Sequence, residues 1–177
     1  LTSTNSSIGL IYALKKIFMT YKGLWFYGLS GSGKTFASKY LKKKIKKSFL
    51  IDGDDVRRTL SKDLDYSLAS RKIQINRLFS IAELCLINSF FPIVSSVFMN
   101  QNIVHKCRKK KILLINVQRA NFETVKLNHR TYKNKKNVVG VDIHIKNYKT
   151  RDIFNPGNKK FCKNLISLKK LVIKRDT

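Results

Sequence analysis

Residues 28–35 read GLSGSGKT and directly follow the apolar run LWFY at 24–27. The stretch satisfies the pattern G-x-x-x-x-G-K-[ST], in which glycines let backbone N–H groups curl around a phosphate without side-chain clashes. The residues that follow, 34–47, have the apolar spacing of a helix. A glycine-rich loop between a buried strand and a helix N-terminus predicts a cradle for the phosphates of a nucleoside triphosphate.

Each residue type in this loop has its own expected role. Lys34 would reach the β- and γ-phosphates of ATP, and the Thr35 hydroxyl would bind Mg²⁺. The rest of the loop would hold the phosphates through its backbone, at Gly28, Ser30, Gly31, Ser32 and Gly33. ATP and Mg²⁺ are therefore the expected cofactors.

Strand and helix patterns alternate along the chain. We expect strands in GLWFYGL (23–29) and over 48–52, 91–97 and 111–117, and a turn or short strand in NVVGVDI (137–143). We expect helices over 34–47, 70–90 and 121–130, the last capped by Asn121, a short helix or turn over 53–60, and a final helix from Phe161 around Leu165, Leu168 and Leu171. The alternation predicts an α/β fold, a P-loop NTPase-type parallel sheet with helices on both faces.

The expected core follows from the same patterns. Ile75, Leu78, Ala82 and Cys85 fall on one stripe of the 70–90 helix, with Phe79 beside it. Trp25, in the first strand, is expected in the core as well.

Length and composition set the limits of the fold. The chain has 177 residues, 43% of them hydrophobic, which predicts a single domain. We expect residues 1–18 to lie outside the P-loop domain of residues 19–177. No apolar stretch is long enough to span a bilayer, and the three scattered cysteines without a CxxC favour a reduced, cytoplasmic protein without structural zinc.

The charge is strongly unbalanced. Lys and Arg number 37 against 10 Asp and Glu, a formal net charge of +27. The excess favours an anionic partner such as a nucleotide, a nucleic acid or an acidic membrane, although an AT-biased coding sequence, which enriches Lys, Asn, Ile and Phe together, would produce it too.

The few acidic residues are clustered. Five of the 10 lie within residues 52–65: Asp52, Asp54, Asp55, Asp63 and Asp65. Asp52 ends the second strand, so its carboxylate is expected at the sheet edge near the phosphates, where it would hold the Mg²⁺ hydration shell or accept a proton. Arg57, Arg58 and Arg71 suit an anionic acceptor.

Three segments together, GLSGSGKT, LIDGDDVRRTLSKDLDYS and SR at 70–71, resemble the adenylylsulfate kinase family. The resemblance extends through NVVGVDI at 137–143. It implies transfer of the γ-phosphate of MgATP to the 3′-hydroxyl of adenosine 5′-phosphosulfate, the step of sulfate activation. It also implies a small-molecule nucleotide partner. No membrane partner is expected, a nucleic-acid partner is disfavoured, and a homodimer is one expected assembly.

Residue roles follow from the matched positions of this family. Lys34 and Asp52 are the implied catalytic residues, with Thr35 and Asp52 at the metal. The resemblance places two residues in a base pocket, Val139 and Gly140, and five at the acceptor: Asp54, Arg57, Tyr66, Arg71 and Gln74.

The chain also departs from the family pattern. Phe36 stands where the family has Thr, Ser70 replaces an Asp, and Gln74 replaces an Asn. In the later segments, Met99 takes the place of a Ser, and Leu127 and His129 replace an acid and a lysine of the lid.

Two alternatives therefore stay open beside adenylylsulfate: another nucleotide-linked acceptor, or a degenerate site that binds ATP without transfer. A third class, a basic P-loop protein that binds nucleic acid, is disfavoured by five aspartates beside the phosphate loop.

Overall fold

A computed structural model describes residues 21–133, 136–157 and 159–172. The expected extension, residues 1–18, lies outside this described part. The strands are β1 (Gly23–Tyr27), β2 (Ser48–Asp52), β3 (Phe91–Ser96), β4 (Ile112–Arg119) and β5 (Arg151–Asn155). The helices are α1 (Lys34–Lys42), α2 (Gly53–Thr59), α3 (Leu68–Ile87), α4 (Gln101–Lys109), α5 (Phe122–Asn128) and α6 (Lys159–Val172), with a short 3₁₀ helix at Arg130–Lys133.

The five strands form one parallel sheet in the order β2-β3-β1-β4-β5. The central strand, β1, pairs with β3 on one side and β4 on the other. The phosphate loop leaves the carboxyl end of β1, so it lies at the middle of that sheet edge. Open parallel sheets bind their ligands at this edge, where the chain reverses its direction of winding.

Helices cover both faces of the sheet, as the sequence predicts. Alternate side chains of β1 point to opposite faces, so Trp25 packs in one apolar layer and Phe26 in the other. The Trp25 layer receives Ile75 and Leu78 of α3, and the Phe26 layer receives Leu165 of α6. The stripe expected on α3 is buried, with Cys85 at its end at 9% exposure.

Several element ends differ from the expectation. α1 ends at Lys42, because a turn through Lys47, with φ 48°, has to reach β2. α3 begins earlier than expected, at Leu68, where the Ser67 side chain accepts a hydrogen bond from Ser70 N. β4 runs on to Arg119 because it pairs with β5.

Two expected side-chain roles are wrong. Asn121 precedes α5 in a left-handed conformation, with φ 56°, and its side chain makes no cap hydrogen bond. Leu171 is 45% exposed, because the buried stripe of α6 passes through Val172 instead. The structure also contains β5, which the sequence pattern did not predict. Only two of its five residues are buried, so its apolar alternation is too short to recognise.

Across the described part of the chain, no helix combines the length and the apolar character that a membrane crossing requires.

Candidate active site

The phosphate loop turns directly into α1. Gly33 caps this helix with φ 103°, a left-handed conformation that suits glycine. Gly31, with φ 79°, has no room for a side chain, because a Cβ there would lie 2.7 Å from Val125 Cγ1. The loop therefore presents its backbone and the N–H groups of the first turn of α1, the arrangement that binds phosphate.

Side chains hold the carbonyl oxygens of this loop. Four consecutive ones each accept a side-chain hydrogen bond: Leu29 O from Lys34 Nζ at 2.7 Å, Ser30 O from Tyr132 Oη at 3.0 Å, Gly31 O from Arg119 Nη1 at 3.3 Å, and Ser32 O from Asn155 Nδ2 at 2.8 Å. A carbonyl fixed in this way also fixes the direction of the N–H group in the same peptide, and an N–H group that points into the loop can bind an anion.

Lys34 is buried, with 6% of its surface exposed. This burial lowers the pKa of Lys34 to about 8, and the nearby Asp54 and Asp52 carboxylates oppose the shift. Desolvation disfavours the charged ammonium, and a bound polyphosphate would favour it.

Thr35 and Asp52 meet at the sheet edge. The Thr35 hydroxyl donates to Asp52 Oδ2 over 3.0 Å, and Asp52 Oδ1 accepts from Asp54 N, also over 3.0 Å. Asp52 therefore caps α2 with one oxygen and faces the phosphate loop with the other. It ends β2, as the sequence predicts.

A cavity of about 510 Å³ lies on one side of the loop. Gly28, Leu29 and Ser32 of the loop line it, together with Asn116 of β4 and Gly140. Its size suits a nucleoside. The Val139 side chain, 2% exposed, packs in the apolar core beside the cavity and does not line it.

Aromatic and cationic groups gather at the end of α2. The guanidinium carbons of Arg57 and Arg71 lie 4.6 Å and 5.6 Å from the centre of the Tyr66 ring. Arg57 Nη1 also donates to Leu64 O over 3.2 Å, which fixes its direction. Tyr66 is 55% exposed, although the Arg57 guanidinium lies over its ring.

Gln74 joins this group to the turn after β2. Its Nε2 donates to Gly53 O over 3.1 Å, while its buried Oε1 accepts no hydrogen bond from the described residues. Asp54 is exposed on the first turn of α2. The structure thus groups Asp54, Arg57, Tyr66, Arg71 and Gln74 around α2 and the N-terminal part of α3.

The family model described as adenylylsulphate kinase matches residues 21–138, about two thirds of the chain. The chain belongs to this adenylylsulphate kinase family. The match contains the phosphate loop, Asp52 and the Arg57–Tyr66–Arg71 group.

Among curated relatives, the adenylyl-sulfate kinase of Buchnera aphidicola is 37% identical over 83 residues, which cover 45% of this chain and 40% of the relative. That of Shewanella amazonensis is 43% identical over 67 residues, covering 36% and 34%. The Escherichia coli K12 enzyme is 45% identical over 65 residues, covering 34% and 32%. The aligned part of the chain therefore spans less than half of each relative.

Solved structures of the family share the fold. The Mycobacterium tuberculosis APS kinase CysC in complex with AMPPNP and APS superimposes with a TM-score of 0.73 at 19% identity, covering 86% of this chain and 98% of that one. A hexameric APS kinase from Thiobacillus denitrificans gives 0.59 at 19% identity, covering 88% and 31%.

The residues that depart from the adenylylsulphate kinase pattern lie in different environments. Phe36 is 53% exposed and stacks on Phe161 and Tyr40, with ring centres 5.9 Å and 6.1 Å apart. Met99 is buried at 1% exposure, and Leu127 is exposed at 80%.

His129 packs against the phosphate loop. A Cβ at Gly31 would lie 3.0 Å from His129 Cδ2, and the His129 ring meets Tyr132 edge-on at 5.7 Å. The segment with α5 and the 3₁₀ helix therefore covers the loop.

Sequence reasoning missed Arg119, Tyr132 and Asn155 as neighbours of the loop. Asn155 is 123 positions from Ser32, and Arg119 and Tyr132 are also far along the chain. The segment NPG at 155–157 could have indicated a turn, since Pro and Gly are typical of turns, but nothing in it indicates a contact with the phosphate loop.

Proposed function

We propose that this chain is an ATP-dependent kinase that transfers the γ-phosphate of MgATP to the 3′-hydroxyl of adenosine 5′-phosphosulfate. The hydrogen bond between Thr35 and Asp52 carries the proposal, because it joins the phosphate loop to the acidic turn that precedes the acceptor group. A similar protein, the M. tuberculosis APS kinase CysC, is described with both AMPPNP and APS bound, which supports the pairing of a donor and an acceptor nucleotide.

The donor side uses the loop and the adjoining cavity. The backbone of Gly28, Ser30, Gly31, Ser32 and Gly33 would hold the phosphates, while Lys34 exchanges its contact with Leu29 O for the β- and γ-oxygens. The nucleoside would enter the 510 Å³ cavity beside Gly140. Val139 supports this turn from the core, so we assign its contribution to its backbone.

The acceptor side uses the group around Tyr66. Its exposed ring offers a stacking surface for adenine, and Arg57 and Arg71 supply positive charge for the phosphosulfate. Asp54, which is exposed, and the unpartnered Gln74 Oε1 would accept hydrogen bonds from the acceptor nucleotide.

Transfer needs little covalent participation from the protein. The 3′-hydroxyl oxygen forms a bond to the γ-phosphorus, and the bond from that phosphorus to the β,γ-bridging oxygen breaks, releasing ADP. The hydroxyl proton passes to the Asp52 carboxylate. Lys34 stabilises the charge that spreads over the transferred phosphoryl oxygens.

The donor set beside the loop fits Mg²⁺, which prefers oxygen ligands and keeps several waters. Thr35 and Asp52 together present a hydroxyl and a carboxylate, 3.0 Å apart. When bound with ATP, Mg²⁺ would neutralise phosphate charge. Thr35 and Asp52 would hold it.

Three free cysteines, two of them buried, are consistent with a reducing compartment, and we infer a cytoplasmic location. The homodimer stays a prediction.

The test is ADP release from MgATP by the purified chain, with adenosine 5′-phosphosulfate present or omitted. We expect release that requires the acceptor and that Lys34→Ala abolishes. Lys39→Ala, a change of an exposed lysine on the same helix, is the matched control and should retain activity.

Acceptor-independent or absent release would contradict the assignment to adenylylsulfate. ATP binding that still depends on Lys34 would then favour another nucleotide-linked acceptor or a degenerate site, which a set of other acceptors would separate.

A further inference from the structure

We propose that Asn155 is a positioning residue for ATP, which fixes the phosphate loop in its binding conformation from the end of β5. The inference rests on the proposed binding of ATP at residues 28–35 and adds a residue to that site.

Both ends of the Asn155 amide are engaged. Nδ2 donates to Ser32 O over 2.8 Å, and Oδ1 accepts from Gly157 N over 2.9 Å. The side chain is 5% exposed. Because the Gly157 N–H donates to Oδ1, the amide is oriented with its Nδ2 group towards the loop.

This contact sets the direction of an N–H group in the loop. The carbonyl of Ser32 and the N–H of Gly33 belong to one planar trans peptide, so they point in opposite directions. A Ser32 oxygen held by Asn155 turns the Gly33 N–H away from β5. A donor already oriented before the phosphate arrives needs no reorganisation on binding.

The fit between Asn155 and the loop is close. A Cβ placed on Gly33 would clash with Asn155 Nδ2, so the amide lies directly against the backbone. A side chain at position 33 would therefore displace this amide, and it would also be strained by the positive φ.

The other three side chains that hold loop carbonyls differ from Asn155. Lys34 is expected to leave its carbonyl for the phosphates, and Arg119 and Tyr132 make contacts that are only partly buried. The bond from Asn155 is the buried one of the four. It therefore suits a contact that persists with ATP bound.

Two variants test this role. Asn155→Ala removes the donor, and Asn155→Asp keeps the shape but opposes a carboxylate oxygen to Ser32 O. We expect each to raise the Kd of a non-hydrolysable ATP analogue, measured by calorimetry with Mg²⁺, by about tenfold. In turnover, the KM for ATP should rise while the acceptor KM stays within about twofold.

Asn164→Asp is the matched control, because it makes the same change near the end of β5. Asn164 Nδ2 contacts Phe154 O at 3.3 Å and not the loop. This variant should bind the analogue like the unaltered chain.

A Kd within about twofold of the original in Asn155→Ala would overturn the proposal, even if that variant melts at a lower temperature, since a purely structural residue predicts that result. If Asn155→Ala does not fold, the Kd of Asn155→Asp tests the proposal by the same criterion. Binding of the analogue requires no acceptor, so this test remains valid even if the acceptor is not adenosine 5′-phosphosulfate. No analogue binding by the unaltered chain would overturn the proposed function and this role together.

Discussion

At the scale of single residues, the site depends on two groups whose surroundings differ. Asp52 has a hydrogen-bonded neighbour at each carboxylate oxygen, and Lys34 is buried without a fully compensating charge. The two hydrogen bonds fix the orientation of the Asp52 carboxylate, and the burial of Lys34 lowers the pKa of its ammonium group. Both effects are measurable.

Asp52→Asn should lower kcat by about 10²–10⁴-fold, because the amide retains the cap of α2 but accepts no proton. The affinity for ATP measured without Mg²⁺ should change little. Asp55→Asn serves as the control, because Asp55 is exposed and pairs with Arg58 on the outer side of α2. An unchanged kcat in Asp52→Asn, measured in the ADP-release assay, would show that the proton goes elsewhere.

ATP affinity should depend on pH through Lys34. In the free protein its pKa is about 8, and the bound polyphosphate favours the charged form, so binding is accompanied by proton uptake. Affinity should therefore be highest below pH 8 and fall by up to about tenfold per pH unit above it. Titration calorimetry across pH 7 to 9 would measure this, and Lys34→Met should remove the dependence.

At the scale of elements, two helices carry separate tasks. The last turn of α2 brings Arg57 to the acceptor group, while Arg58 beside it faces solvent. α6, far along the chain, covers one face of the sheet with the stripe that contains Leu165. Neighbouring positions on each helix allow matched comparisons.

Arg57→Ala should raise the KM for the acceptor by about tenfold to a hundredfold, the range for losing a charged hydrogen bond. The KM for ATP should stay within about twofold. Arg58→Ala removes the same charge from the exposed side and should leave both KM values unchanged. Equal effects of the two variants would indicate a general loss of positive charge.

Leu165→Ala should lower the free energy of unfolding by about 2–5 kcal/mol, because Leu165 is fully buried at 0% exposure. Leu171→Ala, at a position that is 45% exposed, should cost less than about 1 kcal/mol. Urea denaturation measures both. A larger loss of stability in Leu171→Ala than in Leu165→Ala would indicate that the Leu171 face of α6 packs against the sheet.

At the scale of the whole molecule, the net charge of +27 acts on stability. Like charges repel one another in the compact state, and salt screens them over about 10 Å at 0.1 M. Melting temperature should therefore rise between 0.05 and 0.5 M NaCl, by about 2–4 °C for each kcal/mol of repulsion removed. Lys34→Ala should show the same rise, which separates screening from anion binding at the loop; a flat or falling melting temperature would contradict this.

Local sequence determined the phosphate loop, its strand and its helix, because glycines, Lys34 and Thr35 act within a few residues of one another. It also determined the parallel sheet, since strand and helix patterns alternate over residues 23–97; α4, between β3 and β4, was not expected from the sequence. The same local signals placed Asp52 at the end of β2 and the buried stripe on α3. Each of these depends on spacing along the chain.

Tertiary structure alone decided the rest. β5 is too short to be predicted from its sequence, but its pairing with β4 forms the strand and brings Asn155 into contact with Ser32. The buried face of α6 depends on where the sheet lies, which placed Val172 inside and Leu171 outside. Contacts between residues about a hundred positions apart leave no periodicity in sequence, so the side chains that hold the phosphate loop became visible only when the chain was folded.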